Sequence, residues 1–280
     1  MKIVEQKPTL DIDLPTITAD DTFTFWNKKT KKYEKANYIK ETGLPSSSHV
    51  LMYYGVCSSG KSSLMSSICA SKKEGSRVYY QCFDKVYICA SYTSMRSLGS
   101  DPFKSVPLDQ WYEEFNEAFL RDITERVREN ALEDMHSLVI IDDACNKLKR
   151  LEYPLANLLL QHRHLRVSLH ILQQDLCQCP LSIRANLTGA FFFKQSNAKR
   201  IQLVREEYFS MMSNEEYKKF ECQVYKKKGD CIFVKFGSLP YKYYRISDLK
   251  FREITFEDLE SKCKDEPEAS QPPEKKDASK

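Results

Sequence analysis

Glycine is scarce in this sequence, and long hydrophobic stretches are missing from it. The 280 residues include only 8 glycines, beside 15 phenylalanines and 16 tyrosines. A collagen-like or low-complexity chain needs far more glycine, and a disordered chain has fewer aromatic residues. The apolar and charged fractions, 41% and 29%, are those of a folded chain that can bury one α/β core. We therefore expect one large folded domain.

Signals for membranes, secretion and metal clusters are also lacking. The longest apolar runs, such as Leu138 to Ile141, fall far short of the ~20 residues that span a bilayer. The N-terminus has no apolar centre of a secretory signal, so we expect an intracellular protein with no membrane partner. The ten cysteines are scattered, which suits reduced core thiols, and the pair Cys177 and Cys179 has no second pair at zinc-finger spacing. A net charge of +4 alone does not indicate nucleic-acid binding.

The sequence divides into three parts. Residues 1–46 are polar and form an N-terminal arm, in which an aromatic- and threonine-rich patch from Phe23 to Tyr33 suggests a small hairpin. Residues 47–260 are expected to form the main domain. Residues 261–280 contain three prolines and no aromatic residue, so they cannot offset their ordering entropy and are predicted to be a disordered tail.

Short apolar strands alternate with helices through the main domain. This pattern predicts a largely parallel sheet covered by helices on both faces, with a C-terminal antiparallel hairpin at one edge. The predicted strands are His49 to Tyr54, Lys85 to Ser91, Leu138 to Ile141, Val167 to Leu172, Ala190 to Phe193, and the hairpin of Cys231 to Phe236 with Tyr241 to Ile246. The predicted helices are Lys61 to Ser71, Asp109 to Leu132, Tyr153 to Arg163 and Asn214 to Tyr225.

A phosphate-binding loop is the clearest motif. Residues 55–62 read GVCSSGKS, which matches GxxxxGK[ST] between a predicted strand and a predicted helix. In this motif the backbone N–H groups face phosphate oxygens, the lysine bridges the β- and γ-phosphates, and the hydroxyl binds Mg²⁺. We predict ATP and Mg²⁺ as ligands. The predicted nucleotide-binding residues are Gly55, Val56, Cys57, Ser58, Ser59, Gly60, Lys61, Ser62 and Ser63, with Lys61 also catalytic and Ser62 on the metal.

A carboxylate pair follows another apolar strand. Asp142 and Asp143 come directly after Leu138 to Ile141, which is typical of a Walker B motif. Open α/β sheets bind ligands at the carboxyl ends of their strands, and two adjacent carboxylates need a cation there. We predict that Asp142 holds Mg²⁺ through its water shell and that Asp143 orients and deprotonates the attacking water. The alternative is an exposed Asp-Asp turn that caps the next helix.

The spacing of the two motifs favours one division of P-loop proteins. About 80 residues separate Lys61 from Asp142, and they include a predicted strand and helix, so a further strand can lie between the two motif strands. This favours the ATPase and motor division over kinases and GTPases. A GTPase would read guanine through NKxD, and the segment Asn146-Lys147-Leu148-Lys149 lacks the aspartate.

Polar residues that follow the next strand complete the candidate site. Gln173 and Gln174 follow Val167 to Leu172, so a side-chain amide is expected to sense the γ-phosphate, and the spacing favours Gln174 over Gln173 for this role. The alternative is that both are exposed polar residues after a strand. Arg184 is the candidate for an arginine finger that reaches the γ-phosphate of a neighbouring subunit. Arg163 and Arg166 compete for that role, and for each arginine a surface or structural salt bridge is the alternative.

Together these residues resemble the FtsK/HerA-type genome-packaging ATPases of poxvirus-type large DNA viruses, virophages and Polinton/Maverick elements. The resemblance covers about residues 47–250. Besides the two Walker motifs it rests on FDKVYICAS from Phe83, DPF from Asp101, QWYEEF from Gln110, HRH from His162, Gln174, PLSIRAN from Pro180, DCIFVK from Asp230 and YYR from Tyr243.

The resemblance implies an ASCE/RecA-like P-loop NTPase fold and a motor function. In this family, ATP hydrolysis in a homo-oligomeric ring, of five or six subunits, drives double-stranded DNA into a preformed capsid. The implied partners are duplex DNA, further copies of the chain, and capsid portal or vertex proteins. The implied location is a virus factory in the host cytoplasm or nucleus, or the virion. The wider superfamily commonly has Glu at the second acidic position, where this chain has the shorter Asp143.

Two other functions share these residues. A helicase or other ring ATPase acting on single strands or protein would have the same site. A virion scaffold that binds ATP without turnover would also keep the phosphate-binding loop. The basic clusters Lys226 to Lys228 and Lys194, Lys199 and Arg200 are candidates for contact with the DNA backbone, or else solvated surfaces.

Overall fold

The structure is a computed structural model, and its strands form one large sheet and one small hairpin. It describes residues 22–27, 30–35, 42–70, 78–79, 81–91, 102–142, 147–237 and 241–254. The tail predicted for residues 261–280 lies outside the described residues. The strands are β1 (Thr24–Asn27), β2 (Lys32–Lys35), β3 (Val50–Tyr54), β4 (Lys85–Cys89), β5 (Trp111–Tyr112), β6 (Ser137–Asp142), β7 (Val167–Gln173), β8 (Gly189–Phe193), β9 (Cys231–Lys235), β10 (Lys242–Ser247) and β11 (Lys250–Ile254).

The large sheet is mostly parallel, as predicted. Its strand order is β11-β10-β9-β8-β3-β7-β6-β4-β5. The five pairings from β8 to β5 are parallel, and the three from β8 to β11 are antiparallel. Strand β7 lies between β3 and β6, so a strand does separate the two motif strands. It follows Asp142 in the chain, whereas the strand predicted between the two motifs in the sequence, β4, lies on the other side of β6. The predicted C-terminal hairpin is present as β9 and β10 and is extended by β11.

Helices cover both faces of the sheet, which confirms the predicted fold class. Alternate residues of each strand enter different cores: Tyr53 and Ile140 belong to the core beneath the first helix, whereas Tyr54 and Ile141 belong to the core on the opposite face. The helices are α1 (Lys61–Ala70), α2 (Glu117–Leu132), α3 (Glu152–Gln161), α4 (Leu181–Arg184), α5 (Ala198–Tyr208) and α6 (Asn214–Val224). Helix α1 packs on the first face, and α2, α3, α5 and α6 pack on the second.

The helix predicted from Asp109 to Leu132 is wrong in its first third, residues 109–116. Trp111 and Tyr112 form strand β5, which pairs in parallel with the end of β4, so tertiary pairing overrides the helical pattern there. Helix α2 begins at Glu117, after Asn116, whose side-chain Oδ1 accepts a hydrogen bond of 2.9 Å from the N–H of Phe119. Asparagine is a favoured N-cap residue, which explains the start of the helix at this point.

Besides β5, the elements α4, α5 and β11 were not predicted. In α5 the buried residues are Val204 and Tyr208, so the sequence shows little apolar periodicity there. Strand β11 alternates between exposed and half-buried positions at the sheet edge, which also gives a weak pattern.

Strands β1 and β2 form an antiparallel hairpin within the region predicted as an arm. Phe23, just before β1, is fully buried, and its ring makes edge contacts with His49, Tyr79 and His136. The hairpin therefore begins at a residue packed into the core of the main sheet. No helix in the described ranges is both long and apolar enough to cross a membrane.

Candidate active site

The phosphate-binding loop connects β3 to α1 at the carboxyl end of the sheet, as the motif predicts. A Cβ on Gly55 would lie 2.4 Å from the Oγ of Ser59 and 2.8 Å from the Cβ of Phe193, so the position excludes any side chain. Ser58 and Gly60 have left-handed backbone angles, with φ of 58° and 106°. Such alternation turns successive N–H groups toward one concave surface that suits an anion. The Ser59 hydroxyl is buried and has no hydrogen-bond partner among the described residues.

Lys61 is the first residue of α1, and its side chain folds back over the loop. Its Nζ donates hydrogen bonds to the carbonyl oxygens of Gly55 at 2.7 Å and Val56 at 2.9 Å. The side chain is only 8% exposed, so the ammonium group lies inside the loop that it is predicted to serve. In contrast to Lys61, the nearby residues Cys57, Ser58 and Ser63 are exposed. This arrangement holds a positive charge where the phosphates would bind.

Ser62, in the first turn of α1, and Asp142, at the end of β6, lie within hydrogen-bonding distance of each other. The Ser62 hydroxyl donates a hydrogen bond of 3.1 Å to Oδ2 of Asp142, the last residue of β6. Adjacent ligands of an octahedral Mg²⁺ with bonds of about 2.0–2.1 Å are about 2.9 Å apart, close to this separation. This separation would allow both oxygens to bind one Mg²⁺ directly, whereas the sequence predicts that Asp142 holds the ion through its water shell. Asp143, the predicted base, lies outside the described residues.

Of the two glutamines at the end of β7, Gln173 is the last residue of the strand and Gln174 follows it. Asp142 is paired in register with Leu172, and both belong to the face beneath α1. Gln173 lies on the opposite face, where its Nε2 donates to the carbonyl oxygen of Asp175 at 3.1 Å. Gln174 directly follows β7, so strand alternation would place it on the face of Asp142, and its role as a sensor stays a prediction.

The candidate arginine fingers have different surroundings. Arg184 forms an ion pair of 2.9 Å with Glu207, and both side chains are largely buried, 15% and 25% exposed. Arg166 forms an ion pair of 2.6 Å with Asp134. Arg163 is exposed in the turn that precedes β7, at the amino end of the parallel strands and thus away from the phosphate-binding loop. In this single chain, Arg184 and Arg166 thus have structural partners, which was the alternative for both.

The cysteine pair Cys177 and Cys179 was predicted not to form a zinc site. Among the residues that the structure describes, no group of three or more His, Cys, Asp or Glu side chains could hold a metal ion. Cys177 is exposed and Cys179 is buried, and burial raises the pKa of the Cys179 thiol to about 11.

The cluster Lys226 to Lys228 lies beside the phosphate-binding loop and lines a cavity with it. No local sequence signal connects these lysines with a loop so distant in the chain.

The fold and the loop define a P-loop NTPase in which one strand separates the two motif strands. Among solved structures, the DNA-packaging ATPase B204 from Sulfolobus turreted icosahedral virus is similar, with a TM-score of 0.51 and 18% sequence identity over 70% of this chain and 96% of that chain. The genome packaging NTPase B204 from Sulfolobus turreted icosahedral virus 2, in complex with ATP-γS, has a TM-score of 0.50 and 14% identity over 70% and 96%. No family model and no curated protein sequence matches the chain. At these identities the likeness shows a shared fold, which is the fold that the resemblance implies.

Proposed function

We propose that this protein is an ATPase motor that translocates double-stranded DNA into a preformed viral capsid, working as a ring of five or six copies. The observation that carries the proposal is the pairing of Ser62 with Asp142 beside an ordered phosphate-binding loop. The fold supports it, because B204, which shares that fold, is a DNA-packaging ATPase. Portal or vertex proteins of the capsid and duplex DNA are the partners in this proposal, and a virus factory or the virion is its location.

The side chains of the loop perform the first part of the reaction. Lys61 exchanges the carbonyls of Gly55 and Val56 for β- and γ-phosphate oxygens when ATP binds. Ser62 and Asp142 would hold Mg²⁺, which, when bound, would neutralise charge that develops on the phosphates. The N–H groups of the loop stabilise the same charge without reorganisation.

The remaining roles concern the attacking water and the neighbouring subunit. Asp143, from its place after β6 in the sequence, orients the water and accepts its proton, and Gln174 reports the γ-phosphate from the adjacent strand. An arginine from the next subunit stabilises the transition state in trans. Arg184 takes this role only if its ion pair with Glu207 opens in the ring, whereas exposed Arg163 needs no such exchange.

ATP hydrolysis by the purified protein at increasing concentration tests the proposal. With duplex DNA present, the rate should rise more than linearly with protein concentration, because the site needs a neighbouring subunit. Lys61→Ala and Asp143→Asn should abolish turnover. Activity that survives in Lys61→Ala would identify a contaminating enzyme.

The form of DNA separates the alternatives. Stimulation by single-stranded DNA alone would favour a helicase, and stimulation by neither form would favour a motor on another substrate. ATP binding without turnover, even at concentrations where the protein forms oligomers, would favour a nucleotide-binding scaffold and contradict the proposal.

A further inference from the structure

A lysine-rich turn lies directly against the phosphate-binding loop. We call residues 226–230, between α6 and β9, the lysine turn. A Cβ built on Gly60 of the loop would lie 3.6 Å from the Cα of Gly229 in this turn. Gly229 has a left-handed backbone angle, with φ of 92°, which favours glycine at the point of closest approach. The last glycine of the loop and the turn are thus in backbone contact.

The loop and the lysine turn line an open cavity of about 500 Å³. Its walls are residues 56–59 of the loop, residues 193–196 after β8, and residues 225–230. Cavities of about 300–1,000 Å³ are typical of small-molecule sites. The cavity adjoins the phosphate-binding loop, so a nucleotide with its phosphates on the loop would have its ribose and base within reach of this space.

The lysine turn is held in place by one buried carboxylate. Asp230 is 2% exposed, and its Oδ2 accepts hydrogen bonds of 3.1 Å from the backbone N–H groups of both Lys226 and Lys227. The same oxygen lies 3.5 Å from the guanidinium of Arg245 on β10. Asp230, the only carboxylate among the described residues of the cavity wall, is therefore already bonded to the turn itself and to β10.

The lysines of the turn differ in their partners. Lys227 pairs with Asp248, and its ammonium group holds the pKa of that carboxyl below its usual value. Lys226 and Lys228 are exposed and form no ion pair with any residue that the structure describes. The cavity beside the phosphate-binding loop is thus lined by two ammonium groups that have no carboxylate partner among the described residues.

We propose that Lys226 and Lys228 are nucleotide-binding residues, which contact the phosphates of ATP from the side opposite the loop while the cavity holds the ribose and base. The proposal rests on the proposed function only in taking ATP as the ligand. A cavity of this size admits a nucleoside and excludes a duplex, and its wall includes the loop itself, so a nucleotide fits the position better than DNA does.

The test measures binding of ATP and of duplex DNA separately. The variant is Lys226→Ala/Lys228→Ala, and the matched control is Lys218→Ala/Lys219→Ala, two exposed lysines of α6. Calorimetric titration should show a Kd for ATP at least about tenfold higher in the variant, because charge-assisted contacts to phosphate are lost. Adenosine, which has no phosphate, should bind both variants and the wild type alike. Thermal unfolding of the three proteins checks that the folds are intact.

Each outcome decides the inference. An ATP affinity in the variant that equals that of the control would overturn it, as would a loss of duplex binding with ATP binding unchanged, which would make the lysine turn a DNA contact. Failure of the proposed function has a different signature: the wild type binds ATP and the variant binds it less tightly, yet duplex DNA stimulates no hydrolysis. A wild type that binds no ATP would contradict both.

Discussion

The Ser62 hydroxyl donates a hydrogen bond of 3.1 Å to the carboxylate of Asp142, across 80 positions of the sequence. Ser62 lies in the first turn of α1, directly after the phosphate-binding loop, and Asp142 is the last residue of β6. Strand β7 lies between β6 and β3, the strand that precedes the loop. The contact depends on the strand order of the whole sheet. It therefore links the fold of the protein to its proposed chemistry.

Substitutions of Ser62 test the magnesium site. Ser62→Ala removes one of the two oxygens, so we expect ATP hydrolysis at saturating ATP to fall by about 100-fold, which is about 2.7 kcal/mol of transition-state stabilisation. Ser62→Thr keeps the hydroxyl and should retain most of the activity. The measurement is the rate as a function of Mg²⁺ concentration. Equal rates for the alanine and threonine variants would show that the hydroxyl does not bind the metal.

Cys57 offers a chemical test of the loop. Its thiol is exposed, whereas five other described cysteines are buried: Cys69, Cys82, Cys89, Cys179 and Cys231. Alkylation by N-ethylmaleimide should block ATP binding, because the added group would occupy the cavity that the loop lines. Saturating ATP should protect the thiol, and Cys57→Ser should remain active after treatment. Cys222→Ser, at another exposed thiol, should stay sensitive, and inactivation of Cys57→Ser at the wild-type rate would place the reactive cysteine elsewhere.

The Arg184–Glu207 ion pair can be tested for a structural role. Arg184→Ala leaves a largely buried Glu207 without its partner, so we expect a loss of about 1–3 kcal/mol in the free energy of unfolding. Arg163→Ala, at an exposed position, should change stability by less than about 0.5 kcal/mol. Urea titration of the two variants gives the comparison. Equal stabilities would show that the ion pair contributes nothing to the fold.

Two buried histidines make stability depend on pH. His49 and His170 are fully buried, with their Nε2 atoms 3.0 Å apart. Burial lowers the pKa of His49 to about 3 and that of His170 well below its usual value. Both rings stay neutral in the folded chain, whereas an unfolded histidine binds a proton below pH about 6.5. Their contribution to stability is therefore complete above pH 6.5 and is lost as the pH falls toward the pKa of the folded state.

The pH slope of unfolding tests this account. In His170→Gln one titrating group is removed, so the slope of the unfolding free energy between pH 6 and pH 5 should decrease by up to about 1.4 kcal/mol per pH unit. His164→Gln, at an exposed position, is the control. Slopes that are the same in the two variants would mean that His170 is protonated in the folded state as well.

The parts of the candidate site whose residues are close together in the sequence could be predicted from it. GVCSSGKS and the carboxylate after an apolar strand each identify their role within a few residues, and the order of strands and helices limits the possible sheets. The residues Trp111 and Tyr112 look helical because they continue the pattern of α2, and only pairing with β4 makes them a strand. Local propensity cannot anticipate that pairing.

Contacts between distant parts of the chain could not be predicted in the same way. The lysine turn reads as three basic residues before a glycine, which is a common pattern for a solvated surface. Its contact with Gly60 arises because β8 and β9 bring the end of α6 beside the phosphate-binding loop. The partner of Arg184 similarly depends on α5, a helix whose sequence shows little apolar periodicity.

The most direct test of the central claim is movement along duplex DNA. The measurement is ATP-dependent displacement of a third strand from a triplex that lies within a long duplex, with Lys61→Ala and ATP-γS as controls. The account predicts displacement by the wild type with ATP and none in either control, with a delay that grows with the distance from the duplex end to the triplex. Hydrolysis of ATP on duplex DNA without any displacement of the third strand would contradict it.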